Sequence, residues 1–191
     1  NYLTSGGTPF LLNESQSTNK LINSVFISSN GFNPSNYTFV NVFGTGSGTM
    51  LSSSKNSNVN AFNVVSPNTR VFLQQSQSFI SGVVNCFSIF IESVSTNLQV
   101  NRVIGIINIS GVSVYYKNNV LISSTTLVEA AATYSVSFTP SQTASGDVRM
   151  GLGVEGAITG NMTFSMPQLE IATLTSSFIP TTNAAATRNA D

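Results

Sequence analysis

Short stretches in which apolar side chains alternate with Ser, Thr or Asn recur along the chain, and Gly, Asn and Pro separate them. This pattern predicts about ten short β-strands, because the side chains of a strand point alternately to its two faces. No long apolar stripe with a helical period is present, so we expect an all-β protein built as an antiparallel β-sandwich or jelly roll. The predicted strands are residues 24–28, 38–43, 60–65, 70–74, 86–92, 103–109, 112–116, 120–123, 134–139, 148–154 and 162–170.

The predicted strand 86–92 has two different faces. Alternation places Phe87, Ile89 and Ile91 together, and we expect this face to enter the core. The other face carries Cys86, Ser88, Phe90 and Glu92.

Residues 112–123 form a predicted hairpin. Its turn is Lys117-Asn118-Asn119, where asparagine tolerates the left-handed backbone conformation that a tight turn needs. The tip of this hairpin should be exposed to solvent.

Strand 162–170 contains Pro167, which predicts an edge position or a bulge. Alternation places Phe164, Met166 and Gln168 on one face. The Gln168 amide is then expected to point to the concave side of the sandwich, towards a ligand or a neighbouring chain.

The chain has the length of one domain, which we expect to span residues 1–180. Residues 1–23 are a candidate N-terminal arm. Residues 181–191 have no apolar side chain larger than Ala and are expected to be a connector or arm.

Charge is scarce in this sequence. Seven Lys+Arg and 7 Asp+Glu give a net charge of zero, which argues against a nucleic-acid partner because phosphate neutralisation dominates such binding. The surface must instead be covered by 30 Ser, 22 Asn and 20 Thr, which bind through neutral hydrogen bonds that salt screens little. With no His, nucleophilic pairs that need an imidazole are excluded.

No run of 18 apolar residues is present, and residues 1–20 lack the pattern of a signal peptide, so we expect no membrane insertion. Cys86 is the single cysteine and is expected to be a small buried hydrophobe. One Cys and no His cannot supply a zinc site. We expect no cofactor, although a structural calcium ion held by backbone and Asn oxygens stays open.

Two further patterns are candidate sites. Gly151-Leu-Gly153-Val-Glu-Gly156 matches a dinucleotide-binding motif, but no helix is expected after it, so close backbone contacts explain the glycines better. Glu92 and Glu170 each end a predicted strand and could form a pair of catalytic carboxylates. Salt bridges to arginine are the alternative for both carboxylates.

Aromatic rings with amides and hydroxyls around them are a usual way to hold a sugar. Tyr37, Tyr115 and Tyr116 are the candidate surface rings, since a phenol can stack and keep its hydroxyl in water. Each of them also fits as a residue that packs within a strand.

Five separate segments resemble jelly-roll modules of bacteriophage tail fibres and tailspikes. The C-terminal segments are Met166-Pro-Gln-Leu-Glu170, Thr175-Ser-Ser-Phe-Ile-Pro-Thr-Thr182 and Ala186-Thr-Arg-Asn-Ala-Asp191. Upstream, Cys86-Phe-Ser-Ile-Phe-Ile-Glu92 and Val148-Arg-Met-Gly-Leu-Gly153 are similar to two strands of that family. The resemblance covers residues 80–191.

This resemblance implies a sandwich like those of concanavalin and carbohydrate-binding modules, located on a virion and noncatalytic. It also implies a homotrimer that contacts other virion proteins. The chain departs from the family at two places: Thr133-Tyr134-Ser135 stands where the family has Trp-Tyr-Arg, and Glu92 stands where it has Lys.

The first hypothesis is therefore an adhesion module of a tail fibre or tailspike that binds host-surface polysaccharide. Its candidate glycan-binding residues are Tyr115, Tyr116, Asn118, Asn119 and Gln168. The second hypothesis is a structural virion protein, either a capsid decoration or a fibre spacer that oligomerises through the same face. The third is a polysaccharide depolymerase that uses Glu92 and Glu170.

Overall fold

The computed structural model describes residues 2–5, 8–11, 16–28 and 34–189, and nearly all of its regular structure is β. Every strand pairing in this part of the chain is antiparallel, and its one helix is the single turn α1, Val100–Val103. The predicted all-β antiparallel β-sandwich is confirmed. The strands are β1 Tyr2–Ser5, β2 Thr8–Leu11, β3 Ser17–Asn19, β4 Thr38–Val42, β5 Ser47–Ser52, β6 Asn60–Phe79, β7 Asn85–Val94, β8 Ile104–Ile107, β9 Gly111–Lys117, β10 Val120–Ile122, β11 Ala132–Pro140, β12 Ala144–Leu152, β13 Ile158–Glu170 and β14 Ala186–Arg188.

The long strand β6 belongs to both layers of the sandwich. Its first part pairs with β5 and β13 in the larger layer, which has the order β10-β9-β11-β7-β13-β6-β5. Its second part pairs with β4 and β12 in the smaller layer, which has the order β4-β6-β12-β8. The two predicted strands 60–65 and 70–74 are therefore parts of one strand that crosses from layer to layer.

A polar corner lets β6 change layers. Asn68 adopts a left-handed conformation with φ of 74°, and Pro67 beside it cannot donate a hydrogen bond. The Ser66 hydroxyl donates to the Thr69 carbonyl at 3.0 Å and accepts from the Thr69 N–H at 3.0 Å, so the buried backbone stays bonded.

The core lies between the two layers. Phe79 of the smaller layer meets Phe138 of the larger layer edge to face, with ring centroids 6.0 Å apart. The predicted core face of β7, with Phe87, Ile89 and Ile91, is fully buried here, which confirms the alternation seen in the sequence.

The hairpin of β9 and β10 is also confirmed. Asn118 and Asn119 form its two-residue turn with φ of 49° and 64°, the left-handed pair that a tight hairpin with the native twist requires. Both residues are exposed, as predicted for the tip.

A bulge in β13 reverses which face its last residues occupy. Phe164 lies in the core opposite Ile91, but the register shifts between Ser165 and Gln168, where Met166 has φ of 52°. Gln168 therefore lies opposite Ser88 on the outer face. The bulge predicted from Pro167 is confirmed, and the prediction that Phe164 and Gln168 share a face is wrong, because the bulge breaks the alternation.

The glycine motif after residue 150 has a structural explanation. Gly151 has φ of 139°, and a Cβ there would lie 2.6 Å from the Phe72 Cα on the neighbouring strand. The chain continues into strand β13 instead of a helix. Close backbone approach therefore accounts for Gly151, as the sequence indicated.

The segments before β4 and after β13 are bound to each other. β3 pairs with β14. The Ser24 hydroxyl donates to the Ile179 carbonyl at 3.4 Å and accepts from the Thr181 N–H at 2.9 Å. The strand predicted at 24–28 is therefore wrong: these residues turn, with Phe26 at φ of 54°. Residues 181–189 are not a free connector, since Thr181 is buried and β14 is paired.

Asn19 is the centre of this junction. Its buried side-chain oxygen accepts hydrogen bonds from the N–H groups of Leu21 and Leu169 at 3.1 and 3.0 Å. Its amide nitrogen donates to the carbonyls of Pro167 and Ile179 at 3.3 and 2.9 Å. One side chain thus joins the N-terminal segment, β13 and the C-terminal segment.

Candidate functional site

The outer face of the larger layer is polar where β7, β11 and β13 lie side by side. Its buried polar side chains are Ser88, Ser135, Ser137, Ser165, Gln168 and Glu170, and Cys86 and Phe90 are buried among them. Residues 171–181, which we call the C-terminal strap, run across part of this face and bond to it. Hydroxyls and amides thus take the place that apolar side chains hold on the inner face.

Hydrogen bonds hold the strap on this face. The hydroxyls of Ser88 and Thr175 lie 2.9 Å apart, and the Ser137 hydroxyl donates to the Thr173 carbonyl. The Ile179 N–H donates to the Gln168 side-chain oxygen at 2.6 Å.

A groove of about 510 Å³ opens beside the strap on the same outer face. Its walls come from the β9–β10 hairpin tip, the loop between β5 and β6, and the strap. A recess of about 60 Å³ continues from it to Ser88 and Gln168. The groove is lined by Lys55, Phe90, Asn118, Asn119, Thr133, Met166, Thr175, Ser176, Ser177 and Phe178.

The two hairpin-tip asparagines lie at the rim of this groove. The Asn118 side-chain oxygen accepts from the Thr133 N–H at 3.0 Å, and the Asn119 amide nitrogen donates to the Thr175 carbonyl at 2.9 Å. Within the described chain, no hydrogen bond engages the Asn118 amide nitrogen or the Asn119 side-chain oxygen. One donor and one acceptor are therefore left at the rim for a ligand.

Gln168 reaches the recess but is already engaged. It is 1% exposed, and its amide nitrogen donates to Glu170 at 2.7 Å and to the Ser176 hydroxyl at 3.2 Å. This residue holds the strap and the recess wall in place.

The three candidate tyrosines lie in different places, and none of them lines the groove. Tyr115 lies opposite Val136 and is buried in the core, where burial raises the pKa of its hydroxyl to about 12. Tyr116 lies opposite Ser135 on the outer face, half-buried and outside the groove lining. Tyr37 packs edge to face on Phe26 at 5.4 Å inside the core.

The sequence analysis missed eight of the ten groove residues. They are Lys55, Phe90, Thr133, Met166, Thr175, Ser176, Ser177 and Phe178. For Phe90 the signal was present, because alternation already placed it on the face opposite to the core. Lys55 lies in a polar loop, and only the folded chain brings its ammonium to 5.3 Å from the centre of the Phe90 ring.

The structure does not bring Glu92 and Glu170 together. Glu170 lies opposite Cys86, six residues before Glu92 along β7. Six residues of strand span roughly 20 Å, whereas the two carboxylates of a glycosidase lie at most about 10 Å apart.

Hydroxyl and amide groups hold both of these carboxylates. Buried Glu170 accepts hydrogen bonds from Ser17, Gln168 and Ser176. Glu92 accepts from the Ser53 hydroxyl at 2.6 Å and from the Ser54 N–H at 2.9 Å. The bonds to Glu92 fix the loop that carries Lys55.

Glu92 should make stability depend on pH. Partial burial raises the pKa of its carboxyl, but hydrogen bonds from Ser165, Ser53 and Ser54 outweigh it and hold the pKa below its ordinary value. The stabilisation is therefore complete above the unfolded-state pKa and is lost as pH falls through the lower folded-state pKa. Thermal denaturation should show a higher melting temperature for wild type than for Glu92→Gln at about pH 7, and this difference should shrink as the pH falls below the unfolded-state pKa of a glutamate, about 4.3. A difference that grows in acid would contradict this assignment.

Cys86 is fully buried, as the sequence indicated. Burial raises the pKa of its thiol to about 11. Since the thiolate is the reactive form, this thiol is inert near neutral pH.

Within the described residues, no three His, Cys, Asp or Glu side chains come together as metal ligands. The helix in that part of the chain is far too short to cross a membrane. A scan against known protein families found no match, and neither did a search of curated proteins.

Proposed function

We propose that this chain is a noncatalytic adhesion module that binds a host-surface polysaccharide in the outer-face groove. The groove itself carries the proposal. Its volume of about 510 Å³ is that of a small-ligand site, and its lining combines ring surfaces with amides and hydroxyls.

The chemistry of the lining suits a sugar. Phe178 is half-buried and offers ring surface, while Thr133 and the unused rim groups of Asn118 and Asn119 can exchange hydrogen bonds with sugar hydroxyls. Two of the five candidate residues, Asn118 and Asn119, line the groove directly, and Gln168 lines its recess. Tyr115 has no part in this proposal because it lies in the core.

The place of the module on a virion rests on the resemblance of its C-terminal segments to phage tail-fibre and tailspike modules. In that setting its partners are other virion proteins and two further copies of itself, and its ligand is the polysaccharide of the host.

Filling the groove tests this proposal. Thr133→Phe puts a ring into the groove from a strand that is otherwise unchanged, so binding to glycan-array hits should fall about tenfold or more. Thr139→Phe is the matched control, because Thr139 lies on the same strand and face but outside the groove lining. Both variants should melt within a few degrees of wild type. Unchanged binding by Thr133→Phe would refute the groove as the site.

A different feature favours a structural role as the second candidate. Val112, Val114 and Leu121 are 69%, 39% and 62% exposed on the outer face at the edge of the larger layer. An apolar patch beside an edge strand is typical of a surface that another chain covers. A glycan array without hits, together with a stable trimer that Leu121→Ser dissociates, would favour this role over adhesion.

A further inference from the structure

Lys55 is the one charged side chain among the residues that line the groove. It is exposed, and its ammonium group lies 5.3 Å from the centre of the Phe90 ring. A cation–π contact of this kind holds the charge over the groove without neutralising it.

The ammonium group of Lys55 has no counter-ion in the described residues. The ion pairs found there join Lys117 to Glu129 and Arg149 to Asp147. Glu92, whose carboxylate binds the loop that carries Lys55, is occupied by the hydroxyls of Ser53 and Ser54 and the N–H of Ser54.

Lys20 differs from Lys55 in that hydrogen bonds within the protein engage its ammonium group. It also lies over a ring, 5.4 Å from the centre of Phe79, but its ammonium donates to the Ser78 carbonyl at 3.2 Å and to the Asn85 side chain at 3.4 Å. No such bond engages the Lys55 ammonium within the described chain. Its three N–H donors are therefore free to meet a ligand.

From this contrast we infer that the groove takes an anionic saccharide whose charged substituent is bound by Lys55. The inference rests on the proposed glycan-binding function and specifies its ligand class. A lysine ammonium is a compact point charge, so it binds a carboxylate or a phosphate on the sugar by the same electrostatic attraction. The free amide nitrogen of Asn118 lies in the same groove and can donate to the same anion or to a neighbouring hydroxyl.

Glu92 acts in the opposite direction. Its carboxylate accepts from the N–H of Ser54, the residue before Lys55, and so brings a negative charge close to the proposed anion site. Removing this charge should strengthen the binding of an anionic sugar, whereas removing the charge of Lys55 should weaken it. These opposite signs distinguish an electrostatic role from a loss of folding.

The experiment is an array of neutral, uronate and phosphorylated oligosaccharides, followed by titration of the strongest hit and of its uncharged counterpart, such as the methyl ester of a uronate. We expect the hits to be anionic. Lys55→Gln should weaken their binding about threefold to fivefold, and Glu92→Gln should strengthen it by a similar factor. Lys20→Gln is the matched control and should bind like wild type. At about 0.5 M salt the Lys55 effect should largely vanish.

The possible outcomes separate the two claims. Neutral hits would overturn the inference, and so would anionic hits whose binding does not change in Lys55→Gln. Neither result would contradict the proposal that the groove binds a glycan. An array with no hits overturns both. Uronate and phosphorylated arms show which anion the groove prefers, and melting curves of each variant confirm that the protein remains folded.

Discussion

Asn19→Ala is expected to destabilise the protein by about 4 kcal/mol, because it leaves two main-chain N–H groups and two carbonyls without their partners in a buried site. Each such buried group costs about 1–3 kcal/mol when it loses its bond, and part of this cost is recovered where water can enter. Urea denaturation measures the change in the free energy of unfolding.

Asn183→Ala is the control for this variant, since Asn183 is exposed and should change stability by less than about 0.5 kcal/mol. A cost below about 1 kcal/mol for Asn19→Ala would mean that the N-terminal and C-terminal segments do not depend on this side chain. The proposed role of Asn19 as the centre of the junction would then be wrong.

Phe62→Ala should cost a similar amount, about 4 kcal/mol, for a different reason. The Phe62 ring is fully buried and meets Phe26, Phe39 and Phe164 edge to face at 6.5, 5.9 and 6.1 Å. Its removal leaves a cavity among rings that come from both ends of the chain. The free energy of unfolding in urea should fall accordingly.

Phe43→Ala is the matched control, because Phe43 is 80% exposed and makes no ring contact of this kind among the described residues. It should change stability by less than about 0.5 kcal/mol. Equal losses in the two variants would contradict the assignment of Phe62 to the core.

Alternation and turn residues were sufficient to predict the sandwich and the inner face of β7. The face of Phe87, Ile89 and Ile91 and the hairpin turn at Asn118 and Asn119 depend on residues close together in the sequence. Local chemistry specifies such features, so sequence reasoning finds them.

Features that depend on distant partners were not predictable in this way. Residues 24–28 have the composition of a strand, but the side chain of Asn23 bonds both the N–H and the carbonyl of Ile27, at 2.7 and 2.6 Å, and closes a turn. The distant Thr181 hydroxyl then fixes this turn by accepting from the Ser24 N–H at 2.8 Å. The pairing of β14 with β3 likewise joins the two ends of the sequence.

The candidate site was predicted only in part for the same reason. The hairpin-tip asparagines carry a local signal and lie at the groove. Tyr115 and Tyr116 are adjacent in sequence, and only the register with β11 decides which of them faces the core. The groove itself is formed by the strap and the loop of Lys55, which both line it beside Phe90 of β7. These segments are far apart in the sequence, so no local sequence pattern predicts the groove.

The pairing of β3 with β14 has a mechanical consequence. Ser17 lies opposite Arg188, and Asn19 lies opposite Ala186, so both chain ends leave this small sheet on the same side. Tension applied through the two ends would load its bonds one at a time, like a zipper, rather than all together in shear. β3 and β14 would therefore separate under a weak pull, before the bonds of the layered interior carry the load.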